Sequence, residues 1–183
     1  MSEKNIIIIR HFKTFEDDKG NEKILYKKSL SRSVKFVDFI KKYVNENKSI
    51  NKIKIYTSNQ DRTIMTAFIL ISKLKSEIIS SELKNVNIFE PIITDIIDRD
   101  PKKNKYKGVC DKIKNIIEPK LKNDTLYVFI THSSLIFNLF ECFYNIYTDK
   151  NVAKTNKNIH SYSLSFMTKT NNHLKSKFNI NMD

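Results

Sequence analysis

The stretch Asn5-Ile6-Ile7-Ile8-Ile9-Arg10-His11-Phe12-Lys13-Thr14 decides how the rest of the chain is read. Four consecutive isoleucines have no helical period, and β-branched side chains favour extended backbone. A short, continuous apolar run of this kind reads as a strand buried on both faces, as strands are in the middle of a parallel sheet. Polar residues with chemistry, Arg10 and His11, follow the last isoleucine without a spacer, so they stand at the strand exit.

Two later stretches repeat the arrangement. Lys52 to Thr57 reads as a strand and runs into Ser58-Asn59-Gln60-Asp61-Arg62-Thr63-Ile64-Met65-Thr66-Ala67. Thr125 to Ile130 reads as another and runs into Thr131-His132-Ser133-Ser134. Between the strands lie helical patterns. Leu30, Val34, Val37, Ile40 and Val44 recur at helical spacing and predict an amphipathic helix from about Ser31 to Asn47. Ser58, Asn59 and Asp61 offer capping groups for a second helix through Lys75. Leu135 to Tyr147 predicts an apolar helix, whose Phe137, Phe140, Phe143 and Tyr144 read as core. Val86 to Phe89 is a candidate strand, and Pro91 and Pro101 bracket an irregular acidic segment. Lys112 to Leu121 reads as a helix that Pro119 ends or bends. Ser161 to Met167 reads as an edge strand, and Asp17 to Lys28, around Gly20, as a loop. Strands alternating with helices predict an α/β fold, a three-layer α/β/α sandwich with a mostly parallel central sheet. Residues 1–183 are read as a single domain.

Composition narrows the function classes. The 183 residues carry a formal charge of +13 but only two Gly and three Pro. Lysines are scattered and not gathered in a tract, as a biased nucleotide composition would produce, so much of the charge needs no polyanionic partner. A nucleic-acid binder therefore ranks last among the readings, and the excess charge favours anionic ligands by long-range steering. No apolar run approaches the roughly 18–20 residues that cross a bilayer, and the start of the chain does not resemble a secretory leader. The expectation is a cytoplasmic protein without a membrane partner. Cys110 and Cys142 form no metal-ligand pattern and are expected as thiols.

In an open α/β sheet, ligands bind outside the carboxyl ends of the strands. There the three exits collect Arg10, His11, Arg62 and His132. Guanidinium forks match phosphate oxygens, and the helices that follow contribute N-terminal amides. Arg62 lies in the first helical turn, where the dipole disfavours a cation; a bound phosphate explains its place.

The three motifs, in this order and each at a strand exit, resemble those of the histidine phosphatase (phosphoglycerate mutase-like) superfamily. Its first motif is Arg-His-Gly-x-Thr, its second Ser-x-x-x-Arg-Ala-x-x-Thr-Ala, and its third His-Gly; the resemblance spans the chain to the closing strand near Asn158 to Met167. It implies a hydrolase acting on phosphate monoesters through a phosphohistidine. His11 is then the nucleophile, with His132 stabilising the transferring group and Arg10, Arg62, Thr14 and Ser133 binding the substrate. No metal and no cofactor are implied. A proton donor is expected between the second and third motifs, where Asp95, Asp98 and Asp100 are candidates. Asp98 is preferred because Ile96-Ile97 precede it much as a leucine precedes the family's acid. The implied substrate is a phosphorylated small molecule or a phosphoprotein. The alternatives are a catalytically weak relative that binds phosphorylated ligands or a protein partner, and a mutase-type phosphotransferase. Phe12, and Ser133 with Ser134, stand where the family has glycines; Phe12 is expected to narrow the pocket or shift the loop.

Overall fold

The computed structural model describes residues 4–16, 18–19, 22–24, 26–80, 83, 85–98, 108–148, 163–169 and 174–181. The isoleucine run forms β1 (Lys4–Arg10). A short hairpin follows, β2 (Thr14–Glu16) paired with β3 (Glu22–Ile24), and leads into α1 (Tyr26–Glu46). Then come β4 (Lys52–Thr57), α2 (Asp61–Ile79), and the short strands β5 (Asn87–Ile88) and β6 (Ile92–Ile93). Helix α3 (Val109–Lys112) passes into a π-helical turn, Ile113–Ile117, and a 3-10 turn, Glu118–Lys120. Strand β7 (Thr125–Thr131), α4 (Ser133–Thr148), β8 (Ser163–Lys169) and β9 (Leu174–Asn181) complete the order.

The main sheet runs β5-β4-β7-β1-β8-β9, with β6 also paired to β4. Strands β5, β6, β4, β7 and β1 are parallel; β8 pairs antiparallel with β1, and β9 antiparallel with β8. Alternation along β1 builds the three layers. Ile7 and Ile9 pack with Phe36, Val37 and Ile40 of α1 and Leu70 and Leu74 of α2. Ile6 and Ile8 point the other way, into a second core with Leu139 and Phe143 of α4 and with Ile113 and Ile117. Each fully buried isoleucine contributes about 1.5–3 kcal/mol by leaving water, so β1 is the strand that both layers hold. The α/β class and the mostly parallel sheet are as expected. Phe137, Phe140 and Phe143 are core residues, also as expected.

Several boundaries differ. The loop expected from Asp17 to Lys28 includes strand β3 and the first turn of α1. That turn has little apolar periodicity, which is why the helix read from sequence begins late; Gly20 lies outside the described residues. The residue preceding α2 is Gln60, in extended conformation and without a side-chain cap; Ser58 points elsewhere. Strand β8 is not at the edge, because β9 covers it. Pro119 sits in the closing 3-10 turn and ends the helix. Pro101 lies outside the described residues.

The cysteines are a correction. Cys110 and Cys142 form a disulfide, with Cα atoms 5.3 Å apart, within the range a bridge requires. Their pairing comes from α3 packing on α4, a tertiary contact that sequence spacing does not signal.

Candidate active site

Sheet order brings the three exits together. Strand β7 lies between β4 and β1, and register puts Arg10 level with Thr131 and Thr57 level with Ile130. The backbone seals the junctions: His11 N donates to Thr131 O at 2.9 Å and Ser58 N to Ile130 O at 3.2 Å. Both histidines are thus placed at the ends of two adjacent central strands, and their rings lie 5.2 Å apart, tilted by 59°.

His11 is 6% exposed. Its Nδ1 lies 2.7 Å from the carbonyl oxygen of Phe12. A carbonyl only accepts, so Nδ1 carries the hydrogen and Nε2 keeps its lone pair. Burial pushes the imidazole pKa from 6.5 down to about 4; the Phe12 carbonyl works against this, and the charges of Arg62 and Arg10 add to it. The ring is therefore neutral and nucleophilic at pH 7 beside two cations suited to an anion.

Phe12 does not narrow the pocket. Its side chain is fully buried against Phe36, ring centroids 6.0 Å apart. Among the described residues the only non-glycine with positive φ is Asn85, so neither Phe12 nor Ser133 and Ser134 sit where the backbone demands glycine. The Phe12 amide donates to Thr66 Oγ1 at 3.0 Å, and that hydroxyl donates to Arg62 O at 2.6 Å. Thr66 thereby ties the nucleophile's loop to the first turn of α2.

His132 is 3% exposed, and its Nε2 lies 3.1 Å from Ser58 Oγ. The bonding pattern fixes its tautomer. Thr63 has one hydroxyl hydrogen, directed at the carbonyls of Gln60 (2.7 Å) and Ser58 (2.9 Å). The 2.9 Å bond between Ser58 Oγ and Thr63 Oγ1 then uses the hydrogen of Ser58, which leaves Ser58 Oγ an acceptor from His132 Nε2–H. Asp98 Oδ1 lies 3.8 Å from the same Nε2.

Of the two candidate acids among the described residues, Asp98 reaches the site. Ile97 is buried and anchors the loop, Thr131 Oγ1 donates to Ile97 O at 2.8 Å, and the Asp98 amide donates to Asp95 O at 3.1 Å. Asp95 is exposed and Asp100 lies outside the described residues. One residue passed over in the sequence joins the set. Gln60 donates from Nε2 to Asp98 Oδ1 at 3.0 Å and accepts from Arg62 at Oε1, also at 3.0 Å. The two partners fix which end of the amide faces which. Arg10 ends β1, Ser133 opens α4, both partly exposed, and Thr14 pairs with Ile24 in the hairpin. Among the described residues no group of three His, Cys, Asp or Glu side chains converges as metal ligands would, and no helix is long and apolar enough to cross a membrane.

No protein-family model matches the chain, and no curated protein matches it in sequence. Solved structures match along its length. A mycobacterial glucosyl-3-phosphoglycerate phosphatase superposes with a TM-score of 0.54 at 11% identity, covering 98% of this chain and 100% of its own. A protein named mycobacterial hydrolase 1 gives 0.52 at 10% identity, covering 97% and 99%. The SixA protein of Agrobacterium tumefaciens, assigned as a phosphohistidine phosphatase, gives 0.50 at 9% identity, covering 94% of each. The chain shares the α/β fold of these solved structures, the fold that its three motifs lead one to expect.

Proposed function

We propose that the protein is a phosphatase that hydrolyses phosphate monoesters through a phosphohistidine on His11. The observation that carries this reading is a buried, neutral imidazole with its Nε2 lone pair available, next to Arg10, Arg62 and His132. Nε2 attacks phosphorus, and the bond from phosphorus to the ester oxygen breaks. Asp98 gives its proton to the leaving alkoxide. A water then attacks the phosphohistidine, Asp98 takes the water's proton, the P–N bond breaks and phosphate departs. The covalent intermediate divides one difficult transfer into two. The guanidinium groups and His132 stabilise charge on the phosphoryl oxygens, and Gln60 holds the acid and Arg62 in fixed relation.

The path of Phe12 into the core favours turnover over the alternative of a relative that only binds phosphorylated ligands. The physiological ester belongs to a phosphorylated small molecule or a phosphoprotein. The test is hydrolysis of an aryl phosphate between pH 5 and 8 by wild type and His11→Ala. Turnover that vanishes in the variant supports the reading. A folded wild-type protein that binds phosphate without turnover defeats it and favours the binding relative.

A further inference from the structure

Thr131 ends β7 and holds two parts of the site at once. Its carbonyl oxygen accepts from His11 N at 2.9 Å, and its hydroxyl donates to Ile97 O at 2.8 Å. The side chain is fully buried. Side chains alternate along a strand, so Thr131 points to the same face as Tyr127 and Phe129, the face on which Ile97 is packed.

The segment that carries Asp98 arrives there by crossing the carboxyl edge of the sheet. It leaves the β4 side at Thr94, whose amide donates to Thr57 O at 2.9 Å. It meets β7 at Ile97, whose side chain enters the core. Burial of Ile97 fixes the depth of the segment, but apolar packing has no preferred direction and leaves the rotation of the next peptide open. Hydrogen bonds fix that rotation. The peptide joining Ile97 to Asp98 is planar, and both of its polar groups are held: the carbonyl by the Thr131 hydroxyl, the amide by Asp95 O at 3.1 Å. With the plane held, few directions remain for the Asp98 side chain. Its Oδ1 comes to lie 3.0 Å from Gln60 Nε2 and 3.8 Å from His132 Nε2.

We propose that Thr131 is a positioning residue, whose hydroxyl holds the backbone so that Asp98 meets the leaving oxygen of an ester attacked by His11. The hydroxyl itself touches no reacting atom. Because the Thr131 carbonyl also seats the His11 amide, nucleophile and acid are both referred to one residue of the central sheet. Their separation is set by two short links and not by the long stretch of chain between them, which is the condition for a proton transfer in step with P–O cleavage. The inference rests on the hydrolytic reading with Asp98 as the acid, but its test includes an arm that does not.

Two esters separate an aimed acid from a merely intact fold. The nitrophenolate of 4-nitrophenyl phosphate departs without a proton, whereas 2-phenylethyl phosphate releases an alkoxide that needs one. For each enzyme the quantity read is the ratio of kcat/KM on the phenylethyl ester to that on the nitrophenyl ester. Thr131→Val keeps the shape of the side chain and drops the hydroxyl, and its ratio should fall about tenfold to a hundredfold below that of wild type. Thr131→Ser keeps the hydroxyl, and its ratio should return to within about threefold of wild type. A purely structural loss lowers both rates together and leaves the ratio alone. A ratio unchanged in Thr131→Val, or one that Thr131→Ser does not restore, overturns the inference. Asp98→Asn is the reference: a ratio unchanged there overturns the choice of acid and the inference with it, whereas a fall there beside no fall in Thr131→Val counts against Thr131 alone. Should Thr131→Val not fold, Thr131→Ser against Thr131→Ala makes the same comparison of hydroxyl with none. In the second arm, amide hydrogen exchange at Asp98 is followed by NMR. It should be at least about tenfold faster in Thr131→Val than in wild type or Thr131→Ser. Where the wild type hydrolyses neither ester, that difference sustains the positioning of Asp98 and only the hydrolytic reading falls. Equal exchange in wild type and Thr131→Val overturns the inference whatever the turnover.

Discussion

Acid should destabilise this protein through His11 in a way that one substitution removes. The imidazole pKa is about 4 in the folded protein against 6.5 for an unperturbed histidine. A folded pKa below the unfolded one means that the unfolded chain binds the proton first. The stabilising contribution is therefore complete above pH 6.5 and is lost as pH falls towards 4. Linkage over the interval from pH 7 to 5 gives a loss of about 2 kcal/mol from this residue. At 6% exposure the ring has little solvent to screen it. A shift of that size lowers the melting temperature by about 4–8 °C in a chain of this length. The assay is denaturant unfolding at pH 7 and pH 5, in a buffer without phosphate, for wild type and His11→Asn. Asparagine keeps a donor near Phe12 O and does not titrate. Wild type should lose about 2 kcal/mol more than the variant between the two pH values. Equal losses would refute the assignment of His11 as a buried neutral base.

Other perturbations separate the roles of neighbouring residues. Gln60→Leu removes one hydrogen bond to Asp98 and one from Arg62, and should lower kcat by roughly tenfold to a hundredfold without changing the melting temperature; steady-state kinetics and calorimetry check the two halves. Phe12→Gly restores the residue type of the superfamily motif but empties a core position, so it should cost about 3–5 kcal/mol and leave turnover per folded molecule no higher, as read by unfolding and by rate. Reducing Cys110–Cys142, which closes a loop of 32 residues, should cost up to about 4 kcal/mol in the chain-entropy model; a thermal melt with and without a thiol reductant measures it.

The framework of this molecule is written in local patterns. Ile6 to Ile9, Lys52 to Thr57 and Thr125 to Ile130 declare themselves as strands because uninterrupted β-branched and apolar runs have few other stable uses. Reactive residues directly after such runs can be assigned to the carboxyl edge without coordinates. Strand β9 had a signal too, the alternation of Leu174, Ser176, Phe178 and Ile180, but lysines and asparagines interleave it and mask the apolar pattern. The parts that were not legible depend on which segments meet in space. Gln60 matters because its loop faces Asp98, some 38 residues away. The direction of the Phe12 side chain is set by Phe36 on another element, and the disulfide by the packing of α3 on α4. No spacing rule encodes these contacts.

The central claim concerns one covalent bond, and it is tested by trapping it. Wild-type protein is mixed with a reactive aryl phosphate, quenched within the first turnover in alkali, where phosphohistidine survives, and digested for mass spectrometry. The account predicts one added phosphoryl group on the peptide containing His11, labile in acid and absent from His11→Ala. Turnover of the ester with no phosphorylated His11 peptide at any quench time, or with the label on another residue, would contradict it.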